Sequence, residues 1–121
     1  MAATTPETYL ADLNPAQREA VLDEDELGDR ELKRVEVDGE PALLARATDG
    51  RICAIAATCT HLGGPLDEGE RDGDVVTCPW HGSRFDLCSG DLHAGPAVFP
   101  QPRYETRVRE GRIELRPAPN T

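Results

Sequence analysis

An all-β chain preceded by one short helix is the fold class that the sequence predicts. Three observations lead there. Short β-prone runs follow one another from residue 31 to residue 116, X-Gly pairs separate several of them, and the helix-start signals gather within the first 22 residues. The helix comes first. In "NPAQREAVL", Asn14 suits an N-cap, Pro15 the first helical position and Gln17 a capping box. A helix from about Pro15 to Leu22 is expected, ending before the acidic "DEDE" of residues 23–26, which would oppose the negative end of its dipole. After Gly28 the strands begin: "ELKRVEV" runs to Asp38-Gly39, "ALLARAT" to Asp49-Gly50, and "RICAIAA" to a first long loop. "DVVT" leads into a second loop, and "RYETRVR" reaches Glu110-Gly111 before "RIELR". Pro41, at the start of its strand, suits a sheet edge, where a missing N–H is tolerated. The tail "PAPNT" should fray.

The totals narrow the function. A chain of 121 residues makes one domain, and with 38% hydrophobic and 30% charged residues it falls among globular proteins. It has no apolar run near the ~18 residues of a membrane span. Its start, "MAATTPETYLADL", lacks a basic n-region and an apolar h-region, so a cytoplasmic location is expected. Thirteen basic against twenty-three acidic side chains give a formal charge of −10. That argues against nucleic acid and anionic membrane surfaces and for a basic protein partner, steered by charge and sensitive to salt. Four cysteines in such a chain point to metal or redox chemistry before disulfides. Cys53, inside an apolar strand pattern, reads as a small core residue; Cys88, before Ser89-Gly90, has an open role.

The chemistry lies in the two loops. "CTHLGGPL" (59–66) holds Cys59-x-His61, and "CPWHGS" (78–83) holds Cys78-x-x-His81. Gly63, Gly64 and Gly82 follow the histidines and permit positive φ or close backbone approach, while Pro65 and Pro79 stiffen the loops. Leu62, Leu66, Trp80 and Phe85 are candidates to wall a centre from water. A structural Cys₂His₂ zinc site uses the same atoms, but it usually sets two close cysteines ahead of two histidines rather than one of each in both arms. No third group stands beside either pair to orient a catalytic Cys–His dyad. The third histidine, His93, reads as a surface or loop residue.

The two loops, with "GPAVFP" at 95–100, closely resemble the ligand motif and proline loop of Rieske iron–sulfur proteins, and residues 23–116 follow the pattern of Rieske-type ferredoxins. The resemblance implies a Rieske fold of two small stacked antiparallel sheets with a cluster-binding subdomain, an N-terminal extension at 1–22 and a flexible tail at 117–121. It implies one [2Fe–2S] cluster per chain, with Cys59 and Cys78 on one iron and His61 and His81 on the other. The environment it implies comprises Leu62, Gly64, Trp80, Ser83, Phe85 and Pro96, with Leu62 and Pro96 screening the sulfur. Rieske proteins of the cytochrome bc complexes carry a further cysteine in each loop, joined as a disulfide; Gly64 and Trp80 stand there in this chain. They also use a serine and a tyrosine hydroxyl near the cluster; this chain keeps Ser83 but has Phe85 in the tyrosine's place. A low-to-middle potential follows, within the roughly −150 to +300 mV of such centres.

The function implied is a one-electron carrier, not itself an enzyme. It would take electrons from a flavin-dependent reductase and deliver them to a multicomponent ring-hydroxylating oxygenase, acting as a monomer. The alternative is a small Rieske-like subunit of an NAD(P)H-dependent nitrite reductase. A self-contained oxygenase is not expected unless the chain is a fragment, since 121 residues leave no room for a catalytic iron domain after the Rieske-like part.

Overall fold

The structure, a computed structural model, describes residues 19–118. Ten strands follow in chain order: β1 (Glu19–Asp23), β2 (Lys33–Val37), β3 (Glu40–Arg46), β4 (Ile52–Ala56), β5 (Glu70–Asp72), β6 (Val75–Thr77), β7 (Arg84–Asp86), β8 (Leu92–Ala94), β9 (Arg103–Arg109) and β10 (Arg112–Pro117). They form two antiparallel sheets. The base has six strands in the order β1-β10-β9-β4-β3-β2, and the second sheet has four in the order β5-β6-β7-β8. The expected two-sheet, all-β architecture is therefore present, and the four-stranded sheet belongs to the subdomain that carries the second loop.

The base sheet curls until its edge strands β1 and β2 meet, enclosing Leu27, Val37, Ala42, Leu44, Ala54, Ile113 and Leu115. Its outer face presents Leu43, Ala45 and Ile55 to the second sheet, where they pack with Leu66, Val76, Phe85 and Leu87. Strand β3 is buried on both faces, which is why "ALLA" shows no alternation of apolar and polar residues. Each fully buried leucine or phenylalanine in these two cores contributes roughly 1.5–3 kcal/mol of transfer free energy. The expected hairpin turns occur: Asp38 and Gly39 join β2 to β3 with φ of 54° and 81°, and Glu110 and Gly111 join β9 to β10 with φ of 55° and 78°. Positive φ at both central residues is the mark of a turn whose twist matches the flanking strands.

Two expectations need correction. The helix expected over Pro15–Leu22 is not formed at residues 19–22, which belong to β1; Pro15 to Arg18 lie outside the described residues. Strand β1 pairs with β10, setting Leu22 opposite Ile113 and packing it against the enclosed core. That long-range ladder outweighs a local helix preference worth only tenths of a kcal/mol per residue. Pro41 does not lie on a sheet edge, because β3 runs between β2 and β4. It is tolerated because β4 ends at Ala56 and the next carbonyl, that of Ala57, is taken by the Leu66 N–H.

Candidate metal centre

The two loops share one backbone design despite unlike sequences. In the first, Cys59 N–H donates to Gly64 O (2.8 Å) and Gly63 N–H donates back to Cys59 O (2.9 Å). In the second, Cys78 N–H donates to Ser83 O (2.7 Å) and Gly82 N–H donates to Cys78 O (3.1 Å). Each loop therefore closes five residues after its cysteine, through a glycine at the fourth position with φ of 82° or 83°. The left-handed region at that point favours glycine, as the sequence suggested for Gly63 and Gly82. Gly64 serves differently: a Cβ there would stand 2.6 Å from Cys78 Sγ and 3.2 Å from the Trp80 ring. It lets the loops approach.

The four chemical groups come together as two pairs. Cys59 and Cys78 are free thiols, both buried, and the Cys59 thiol faces the Cys78 sulfur. Burial pushes the Cys59 thiol up; the His61 N–H, 3.4 Å from its sulfur, pulls the other way, and Cys78 adds to the rise. The His61 and His81 rings meet edge to face with centroids 4.8 Å apart. His61 is half-buried and His81 exposed, so the imidazoles form the outer side of the site and the sulfurs the inner.

Nδ1 of His61 is buried and finds no hydrogen-bond partner among the described residues. An orphaned buried nitrogen of this kind is costly unless some group occupies its lone pair. Among the described residues, no three His, Cys, Asp or Glu side chains gather as a single-ion site would need. Two facing thiols and two adjoining imidazoles, one with an unpartnered nitrogen, fit a group with two separate metal positions, one taking thiolates and one taking neutral imidazoles.

The surroundings divide by depth. Leu66 and Phe85 are fully buried in the core shared with Cys59 and Cys78. Ser83 is fully buried, and its Oγ accepts the Ala97 N–H at 3.1 Å. Leu62 (62% exposed) and Trp80 (56%) are exposed in the two ligand loops, and Val98 and Phe99 are exposed in the loop after β8. Pro96 is exposed in the loop after β8. His93 lies in β8, exposed, with Nε2 3.9 Å from Asp86 Oδ2. Two acidic residues between the loops tie the sheets together: Asp67 pairs with Arg34, and Asp74 accepts from Thr48 N–H and Oγ1–H.

Sequence reasoning missed one pairing. Cys53 of β4 and Cys88, in the turn after β7, are joined as a disulfide, so Cys53 is not simply a small core residue. Their separation of 35 residues left no local signal, and only the packing of the two sheets brings them together.

Residues 17–105 match the family described as the Rieske [2Fe-2S] domain, and the chain belongs to it. Its cofactor is a [2Fe–2S] cluster, and its class is the electron-transfer ferredoxins rather than the catalytic subunits. Among its relatives, ferredoxin CarAc of Metapseudomonas resinovorans is 35% identical over 82 residues, 68% of this chain and 77% of that protein. The ferredoxin component of the p-cumate 2,3-dioxygenase system of Pseudomonas putida is 32% identical over 90 residues, 74% of this chain and 76% of that one. Among solved structures, a chain of the complex of reduced oxygenase and oxidized ferredoxin in carbazole 1,9a-dioxygenase aligns with a TM-score of 0.77 and 31% identity, covering 84% of this chain and 94% of that chain. The carbazole 1,9a-dioxygenase ferredoxin of Nocardioides aromaticivorans IC177 gives the same TM-score at 29% identity, covering 84% and 99%.

Proposed function

We propose that Cys59 and Cys78 hold one iron of the cluster and His61 and His81 the other, and that the chain passes single electrons from a flavin-dependent reductase to a ring-hydroxylating oxygenase. The observation that carries the ligand assignment is the buried, unpartnered Nδ1 of His61 beside a second imidazole, set above two facing thiols. The cluster supplies reversible one-electron chemistry, at a potential raised above the all-cysteine value of about −400 mV because neutral imidazoles replace two thiolates. The protein's residues set the rest. Ser83 Oγ already accepts from Ala97, so its own proton is free to be donated toward the centre. Phe85 offers no hydroxyl. The missing hydroxyl favours a potential toward the negative end of the mixed-ligand range, and the Ser83 hydroxyl offsets part of that shift.

The exposed His81 and half-buried His61 give the electron its exit, inside an apolar collar of Leu62, Trp80, Val98 and Phe99. Exposed apolar side chains gathered at one end suit transient docking. The net charge of −10 favours a partner with a basic approach face. No helix among the described residues is long and apolar enough to cross a membrane. We assign the carrier domain to residues 19–117, with β1 included because it completes the base sheet, and we take the working unit to be a cytoplasmic monomer. The test is stopped-flow mixing of the reduced protein with an oxidised ring-hydroxylating oxygenase of the carbazole type. One electron should leave per chain, more slowly at high salt, and Trp80→Ala should slow transfer about tenfold, as loss of an interface tryptophan does. An oxygenase left oxidised would contradict the assignment.

A further inference from the structure

The two ligand loops are supported unequally. The second, 78–83, is the tip of the β6–β7 hairpin, whose ladder continues directly behind it through Thr77↔Arg84 and Val76↔Phe85. The first, 59–64, has only the isolated bridge Thr58↔Pro65 and the bond from Leu66 N–H to Ala57 O behind it. What replaces the missing ladder is one side chain. Gln101 is 3% exposed in the segment between β8 and β9. Its Nε2 donates to Ala56 O and Thr58 O, both at 2.8 Å, and its Oε1 accepts the Thr60 N–H at 2.7 Å.

These three backbone groups bracket Cys59 and end beside His61. Gln101 is itself anchored, since its N–H donates to Gly90 O at 2.8 Å, and Thr60 Oγ1–H reaches the same segment at Phe99 O, also 2.8 Å. The pattern of two acceptors and one donor is the complement of a carboxamide. Leucine offers neither half, and an ionised glutamate could only accept.

We infer that Gln101 is the positioning residue of the first ligand loop, fixing the backbone on which Cys59 and His61 are mounted and so how sharply the centre is defined. This rests on the ligand set proposed above. Replacing Gln101 would leave Ala56 and Thr58 carbonyls and the Thr60 N–H to find other partners, and the loop would sample several arrangements. A spread of arrangements broadens the distribution of ligand fields at the iron that His61 serves.

The test uses the cluster-loaded protein and three variants. Gln101→Leu removes all three bonds at similar volume. Gln101→Glu keeps an acceptor for Thr60 and loses both donors. Leu115→Ala opens the enclosed core of the base sheet and lowers stability without touching the loop. Q101L should broaden the g-values of the dithionite-reduced protein, shift its midpoint potential and release iron to a ferrous chelator about tenfold faster, with Q101E between it and wild type. L115A should lose thermal stability yet keep the wild-type spectrum and potential. If Q101L does not fold, Q101E decides by the same readouts. A Q101L or Q101E protein with wild-type g-values, midpoint and release rate overturns the inference alone, as does one that changes only as L115A does. A wild-type protein lacking a mixed His/Cys spectrum overturns the ligand assignment and this inference with it.

Discussion

Ser83 and Asp86 show how single polar groups act on the centre and on the frame behind it. Ser83 Oγ accepts from Ala97 and is fully buried, so Ser83→Ala removes a proton donor from the site and strands the Ala97 N–H. A hydrogen bond worth about 1 kcal/mol more to the reduced state corresponds to roughly 40 mV for one electron. Ser83→Ala should therefore lower the midpoint by about that much in a redox titration; an unchanged midpoint would mean the hydroxyl points elsewhere. Asp86 is set by opposing effects. Burial would raise its carboxyl, but the N–H groups of Ser89 and Cys88, both 2.8 Å from Oδ1, together with the nearby His93, hold it below the ordinary carboxylate range. A carboxyl lowered on folding stabilises fully above the unfolded value of about 3.9 and ceases to do so as pH falls through the folded value. Asp86→Asn should cost about 1 kcal/mol at neutral pH in a denaturation curve, the difference between charged and neutral acceptors, and that cost should vanish in acid. The residue scale was the most legible in sequence. The proposed ligands Cys59, His61, Cys78 and His81 stand out because ligation demands fixed atoms at short spacing, whereas Gln101 carries no motif and its bonds reach residues 41 to 45 positions away.

Elements were legible where their signals are local. The turns at Asp38-Gly39 and Glu110-Gly111 and the strands they join need only their own residues. The short strands β5, β7 and β8, three residues each, lie in segments whose pairing is set by the ligand loops, and no period-2 pattern fits into such lengths. Strand β1 differs from its local signal for a related reason: the capping sequence ahead of it favours a helix, whereas pairing with β10 makes residues 19–23 a strand. The disulfide is likewise a product of assembly, tying β4 of the base sheet to the turn after β7. A bridge across 35 residues is worth about 2–4 kcal/mol. The double variant Cys53→Ala, Cys88→Ala should lose that much in chemical denaturation while keeping the visible spectrum, since neither residue lies in a ligand loop. An unchanged denaturation midpoint would mean the bond is not made in the folded protein.

At the scale of the whole molecule, a curled six-stranded base carries a second sheet, and the shared core of Leu43, Ile55, Phe85 and their neighbours holds both cysteines from below. The centre is thus rigid on its sulfur side and open on its histidine side, where Trp80 and Phe99 stand exposed. That polarity is what a carrier requires: the charge change is shielded beneath and accessible above. The class could be read from the chain because it rests on two short motifs, which also carry the proposed ligand set, while the exposure of Leu62 could not, since its hydrophobicity alone suggests burial. The most direct measurement is low-temperature EPR of the dithionite-reduced protein, with iron and sulfide analysis of the same sample. Two irons and two sulfides per chain, with an average g-value well below that of all-cysteine clusters, is the expected result. An all-cysteine spectrum, or a colourless protein holding zinc at these four residues, would contradict it.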